Sequence, residues 1–159
     1  MNRTVLIFAA VLLAAAAACV YIFLMQNGGE SPAPQDDAGD DPGTDLVMTV
    51  DGKKVDTVWE SNPSVEAVRR LAAEGLTIAM ERYGGFEQTG SMKEAVERND
   101  SLITVGPGDI VLYRGIQICL YYGENTYDFT RLGRIQNMSA PEITAMLDKP
   151  GVTVVFSLG

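Results

Sequence analysis

Twenty-one consecutive apolar residues, Val5 to Met25, constrain this chain more than any other feature. At 1.5 Å per residue the run makes a helix roughly 30 Å long, about the thickness of a bilayer's hydrocarbon core. Such a helix has no polar face to offer water, so it does not belong on a soluble domain. It is also longer than the roughly 7–15 apolar residues of a cleaved signal peptide. It reads as a single-pass signal-anchor over residues 1–25, with the lipid bilayer as its partner. Arg3 is the only charge before the run, and the segment after it carries only acids. That asymmetry keeps the N-terminus in the cytoplasm and puts the rest of the chain outside the cell membrane.

Within the run, Ala16-Ala17-Ala18-Cys19 has the small residue before cysteine that a bacterial lipidation signal has. Lipidation of Cys19 is therefore the alternative to a plain anchor. The apolar Val20-Tyr21-Ile22-Phe23-Leu24-Met25 that follows favours the anchor. Residues 26–45 read QNGGESPAPQDDAGDDPGTD, with six acids, no base and no large apolar side chain. A segment of that composition cannot bury enough surface to offset its ordering entropy, and its like charges extend it. It is expected to be a disordered tether. Asp36, Asp37, Asp40 and Asp41 lack the glycine and closing glutamate of a calcium loop, so no metal site is expected there.

The remaining 114 residues, 46–159, form the folded part. Composition removes several functions from it. The chain has no histidine, which excludes histidine-based nucleophile pairs, histidine metal sites and histidine pH switches. Its two cysteines lie 100 positions apart, so no zinc framework exists. A net charge of −9 opposes nucleic-acid binding. No cofactor is expected. Gly106-Pro107-Gly108 lacks the lysine and hydroxyl of a phosphate loop and reads as a turn.

Short β-rich runs follow one another closely. Leu46-Val47-Met48-Thr49-Val50 leads into Asp51-Gly52, a two-residue hairpin signal, and a returning strand over 53–59. Asn62-Pro63 opens a helix whose apolar stripe is Val65, Val68, Leu71 and Ala72. Leu76, Ile78 and Met80 share one face of a strand, and 83–100 reads as irregular. Strands are predicted over 101–105, 110–114, 116–122 and 127–135, the last interrupted near Gly133. Ser139-Ala140-Pro141-Glu142 is a capping box before a short helix facing inward with Ile143, Met146 and Leu147. A strand over 152–158 closes the chain. About eight strands and two helices at this density predict a mainly β fold, a closed barrel whose helices cover its ends.

This order of elements resembles the cyclophilins, and more closely the bacterial and archaeal cyclophilin-like proteins. The residues that carry the resemblance are Gly106-Pro107-Gly108-Asp109-Ile110-Val111-Leu112-Tyr113 and Ile116-Gln117-Ile118-Cys119-Leu120-Tyr121-Tyr122-Gly123. Thr130-Arg131-Leu132-Gly133-Arg134-Ile135 and Val152-Thr153-Val154-Val155-Phe156-Ser157-Leu158 add to it. The resemblance implies a peptide-binding face. In catalytic members an arginine hydrogen-bonds the prolyl nitrogen, a glutamine sits near the peptide carbonyl, and an aromatic pocket grips the proline ring. Arg82 and Gln117 fall at those two polar positions, so they are the catalytic candidates. The aromatic grip is lost: Ile118 and Cys119 stand where two aromatics would, and no tryptophan or histidine lies near Tyr127.

Two functions compete on this reading. One is a non-catalytic module that binds a proline-containing peptide or a small molecule, with Phe86, Tyr113, Gln117, Tyr127 and Phe129 as the binding residues. The other is a peptidyl-prolyl isomerase acting on extracytoplasmic proteins. Cys119 lies in an apolar strand with no adjoining base and is expected to be inert. Arg131 and Arg134 are expected to pair with acids of the chain itself.

Overall fold

A computed structural model describes residues 45–159. The anchor, Cys19 and nearly all of the acidic tether lie outside the described residues. Among the described residues no helix is long and apolar enough to cross a membrane.

The elements run β1 (Leu46–Val50), β2 (Lys53–Val55), β3 (Thr57–Trp59), α1 (Pro63–Ala73), β4 (Leu76–Tyr83), β5 (Glu87–Ser91), β6 (Ser101–Val105), β7 (Asp109–Tyr113), β8 (Gln117–Tyr121), β9 (Asn125–Ile135), α2 (Ala140–Leu147) and β10 (Gly151–Leu158). Nine strands join in the order β2-β1-β10-β4-β5-β8-β7-β9-β3. Every pairing is antiparallel. The two ends of that path, β2 and β3, are separated in sequence by Asp56 alone. The path therefore curls back on itself into a nearly closed barrel, and the Trp59 indole ties the seam by donating to the Leu46 carbonyl at 2.6 Å.

Local chemistry explains the elements. Asp51 and Gly52 take positive φ, 50° and 79°, the left-handed pair that a tight hairpin demands. The Asn62 side chain accepts from the Val65 N–H at 2.9 Å, and Pro63 occupies the first turn, where its missing donor costs nothing. At α2, Glu142 accepts from both the backbone N–H and the hydroxyl of Ser139, at 2.7 and 2.6 Å. The barrel interior is filled by alternate strand residues such as Met48, Ile78, Ile110, Leu112, Ile118, Leu120, Leu132 and Phe156. Val65 and Val68 of α1 and Ile143 and Leu147 of α2 join the same core.

Four expectations change. The returning strand over 53–59 is two strands, β2 and β3, which sit at opposite ends of the strand path. The stretch 83–100 contains β5, a central strand. β9 is continuous across Gly133, with a bulge where Ile110 pairs Gly133 and Val111 pairs Arg131. A side chain at Gly133 would meet the Val58 carbonyl at 2.6 Å, so glycine lets β3 lie close. The N-terminal part of β9 leaves the barrel and pairs with β6 instead, as an arm. The described strands number ten rather than eight.

Candidate functional site

Because strand side chains alternate, the sheet β4-β5-β8-β7-β9 has a second, outward face. On most sheets of this kind that face is polar. Here Val111, Cys119, Tyr121 and Phe129 are all buried and form a second cluster with Val105, flanked by Phe86, Ile103 and Tyr113. The β6–β9 arm, to which Val105, Ile103 and Phe129 belong, covers part of this face. Beside it lies a cavity of about 380 Å³.

Each strand contributes to that cavity through its outward positions. Tyr83 comes from β4, Glu87 and Thr89 from β5, and Tyr113 from β7. Gln117, Cys119 and Tyr121 come from β8, and Asn125, Tyr127 and Phe129 from β9. The rings form a connected network. Tyr113 meets Tyr127 and Phe129 edge-on at 5.8 and 6.1 Å, and Phe129 meets Tyr121 at 5.8 Å. Edge-to-face pairs of this kind add to burial and hold ring orientations. Arg114 lies over the Tyr113 ring, its guanidinium carbon 5.0 Å from the centroid.

Four of the residues expected to bind, Tyr113, Gln117, Tyr127 and Phe129, line this one cavity. Phe86 stands behind it, stacked on Tyr121 at 6.2 Å with the rings 9° from parallel. Arg82 is elsewhere. It shares the inward face of β4 with Met80 and reaches Asp148, just beyond α2, in an ion pair of 3.1 Å. The two catalytic candidates therefore do not share the cavity, and no lysine or arginine lines it.

Glu87 is the functional side chain that sequence reasoning missed. It is 7% exposed, and its Oε2 has no hydrogen-bond partner. Burial holds its carboxyl above the usual range, opposed by the Tyr121 hydroxyl and the Cys119 thiol. Tyr121 accepts from Asn125 Nδ2 at 3.2 Å, which leaves its own proton free to turn toward the carboxyl. The only sequence signal was an acid two residues after a double glycine, which looks like an exposed loop.

Cys119 is 2% exposed and lies 3.3 Å from the Thr89 hydroxyl. Burial, then the charge of Glu87, push its thiol up to about 12. A thiol so placed is almost wholly protonated at pH 8. In a Cys19→Ser protein, iodoacetamide at pH 8 should leave Cys119 unmodified until urea is added; fast labelling of the folded protein would contradict this environment. Arg131 and Arg134 both donate to one oxygen of buried Asp109, at 2.6 and 2.9 Å. The chain itself thus supplies their acid.

Known proteins give the fold a place. No curated protein matches the chain. The solution structure of a hypothetical protein from Archaeoglobus fulgidus is similar, with a TM-score of 0.52 and 20% identity over 76% of this chain and 99% of that one. At that identity the likeness speaks for the fold alone. Residues 48–157 match the cyclophilin-like family, a span that takes in both helices and nearly every residue of the barrel. The chain belongs to the cyclophilin-like family.

Proposed function

We propose that the barrel is a non-catalytic binding module, tethered outside the cell membrane, which takes a small molecule or part of a peptide into the cavity on its outer face. One observation carries the reading: a concave aromatic site with a few convergent polar groups, the usual form of a ligand site, and no arginine within it. Prolyl isomerisation needs the twisted bond held from several sides at once. Arg82, the residue that would hold the prolyl nitrogen, is instead paired with Asp148. Gln117 alone supplies one side.

Two measurements on the purified full-length protein test this. In a protease-coupled assay with a proline-containing tetrapeptide, cis-to-trans isomerisation should proceed at the uncatalysed rate, tens of seconds per event. Acceleration that vanishes in Arg82→Ala would establish the isomerase instead. In an amide-shift screen with a fragment library, perturbations should gather at Thr89, Gln117, Cys119 and Tyr127. A library that moves none of them would end the binding reading. The tether is tested separately. Protease added to spheroplasts should remove the domain, whereas protection until detergent is added would reverse the orientation. Palmitate incorporation dependent on Cys19 would replace the signal-anchor by a lipid anchor.

A further inference from the structure

We propose that the ligand of this cavity is an organic ammonium ion, its N–H group donated to the Glu87 carboxylate and its positive charge and alkyl carbons enclosed by the surrounding rings. The inference rests on the binding reading above and specifies its ligand.

Three observations converge on it. First, Glu87 is 7% exposed and lines the cavity, and Tyr121 and Cys119, which face its carboxyl group, bring no positive charge to it. A buried carboxylate without a counter-charge is costly, and a cationic ligand offsets that cost. Second, Glu87 is the only carboxyl group of the lining, and no lysine or arginine accompanies it. The other groups that titrate there are Tyr83, Tyr113, Tyr121, Tyr127 and Cys119. Tyr121 and Cys119, which face Glu87, are both pushed up and stay neutral. A cation entering the cavity therefore meets one carboxyl group and no lysine or arginine of the lining. Third, the walls are aromatic. Ring faces attract cations, most strongly where water is excluded, and Arg114 over Tyr113 shows one such contact already made at the edge of the network. An anionic ligand would face Glu87 unpaired. A purely apolar ligand would leave the buried carboxyl without a counter-charge.

The probes are n-butylammonium chloride and n-butanol, which share an alkyl chain and differ in charge, titrated into the full-length protein at pH 7.5 and constant ionic strength. Both are followed by amide shifts at Thr89, Gln117, Cys119 and Tyr127. Butylammonium should bind at least tenfold tighter than butanol. Glu87→Gln should bring the two within about threefold of each other. This variant is expected to fold. Burial raises the Glu87 carboxyl, so the folded state favours its neutral form, and removing the charge at neutral pH relieves a cost. Tyr127→Leu, at a position 49% exposed on the rim, should weaken butylammonium several-fold and leave butanol unchanged. Nα-acetyl-lysine methylamide tells a lysine side chain from a free amine. Equal or tighter binding than butylammonium assigns the source to a peptide lysine, weaker binding to a free amine, and either supports the ammonium site.

Equal affinity for the two probes would overturn the proposal, as would a tenfold preference that survives Glu87→Gln. Failure of both probes to shift the cavity amides would overturn it too. If fragments of other chemistry still shift those amides, the ammonium site falls and the binding module stands. If no fragment does, both fall.

Discussion

Phe156→Ala is expected to lower the unfolding free energy by about 4 kcal/mol, near the middle of the range for deleting a buried phenyl ring. Phe156 is fully buried and its ring centre lies 6.0 Å from that of Trp59. It sits on β10, which is paired on one side with β1 and on the other with β4. Ladders on both flanks hold the backbone in place, so the surrounding side chains cannot close over the hole, and the cavity contribution is retained in full. Trp59 is the chain's only tryptophan, so its fluorescence in a urea titration reports this domain within the full-length protein. For a domain of this size the loss corresponds to a fall in Tm of roughly 10–20 °C. A loss below about 1 kcal/mol would mean that the barrel interior relaxes far more than its ladders allow.

The second large effect is expected at Asp109. Its carboxylate is 3% exposed, accepts from Arg131 and Arg134, and also caps the Gly106 N–H at 2.8 Å. Removing one partner of a buried ionic group leaves the others unpaired, at a cost of about 3–5 kcal/mol. Both arginines here are partly open to water, with side chains 32% and 54% exposed, which places Asp109→Ala near the lower end, about 3 kcal/mol. Asp109→Asn keeps an acceptor but loses the charge assistance and should fall between that variant and the natural protein. Urea midpoints of the three proteins check this order. An Asp109→Ala protein within 1 kcal/mol of the parent would show that solvent already satisfies the arginines.

Much of this fold was legible in the sequence because its signals are local. The Asp51-Gly52 hairpin, the Asn62-Pro63 helix start and the capping box at Ser139 each depend on a few adjacent residues, and each appears where it was expected. The alternation of Leu76, Ile78 and Met80 likewise marks the inward face of β4. β5 was illegible for a physical reason. Its sequence, Glu-Gln-Thr-Gly-Ser, carries no apolar alternation, although three of its residues, Glu87, Gln88 and Gly90, are buried. Gln88 is fully buried and donates to the Leu147 and Lys149 carbonyls at the end of α2. Gly90 leaves room for Ile78, whose Cγ2 would lie 2.5 Å from any added Cβ. Glu87 and Thr89 face the cavity. The fully buried glutamine is Gln88, one strand over from Gln117, which is only half-buried.

The candidate site was legible in its aromatic part and not in its charged part. Tyr113 ends a plainly apolar strand, and Tyr127 and Phe129 alternate along β9 as aromatic residues. Their convergence with Glu87 depends on β5 pairing with β8 in the register Glu87 to Tyr121, a contact between residues 34 positions apart. No local pattern announces that register. Arg82 looked like a site residue because it falls at the arginine position that the cyclophilin resemblance implies, yet its inward alternation with Met80 carries it to Asp148 instead.

The place of β10 has a consequence for how the barrel assembles. The last strand of the chain lies between β1 and β4, with Val50 opposite Val154 and Val154 opposite Ile78. Joining β1 to β10 means closing a loop of about a hundred residues before any ladder energy is gained, which raises the entropic barrier and slows folding. Until β10 is in place, β1 and β4 each lack their neighbour, and the two halves of the barrel wall have no seam to share. A chain emerging residue by residue thus cannot complete this domain until residues 151–158 are free. Maturation waits on β10, and refolding is expected on the millisecond-to-second scale of non-local β proteins.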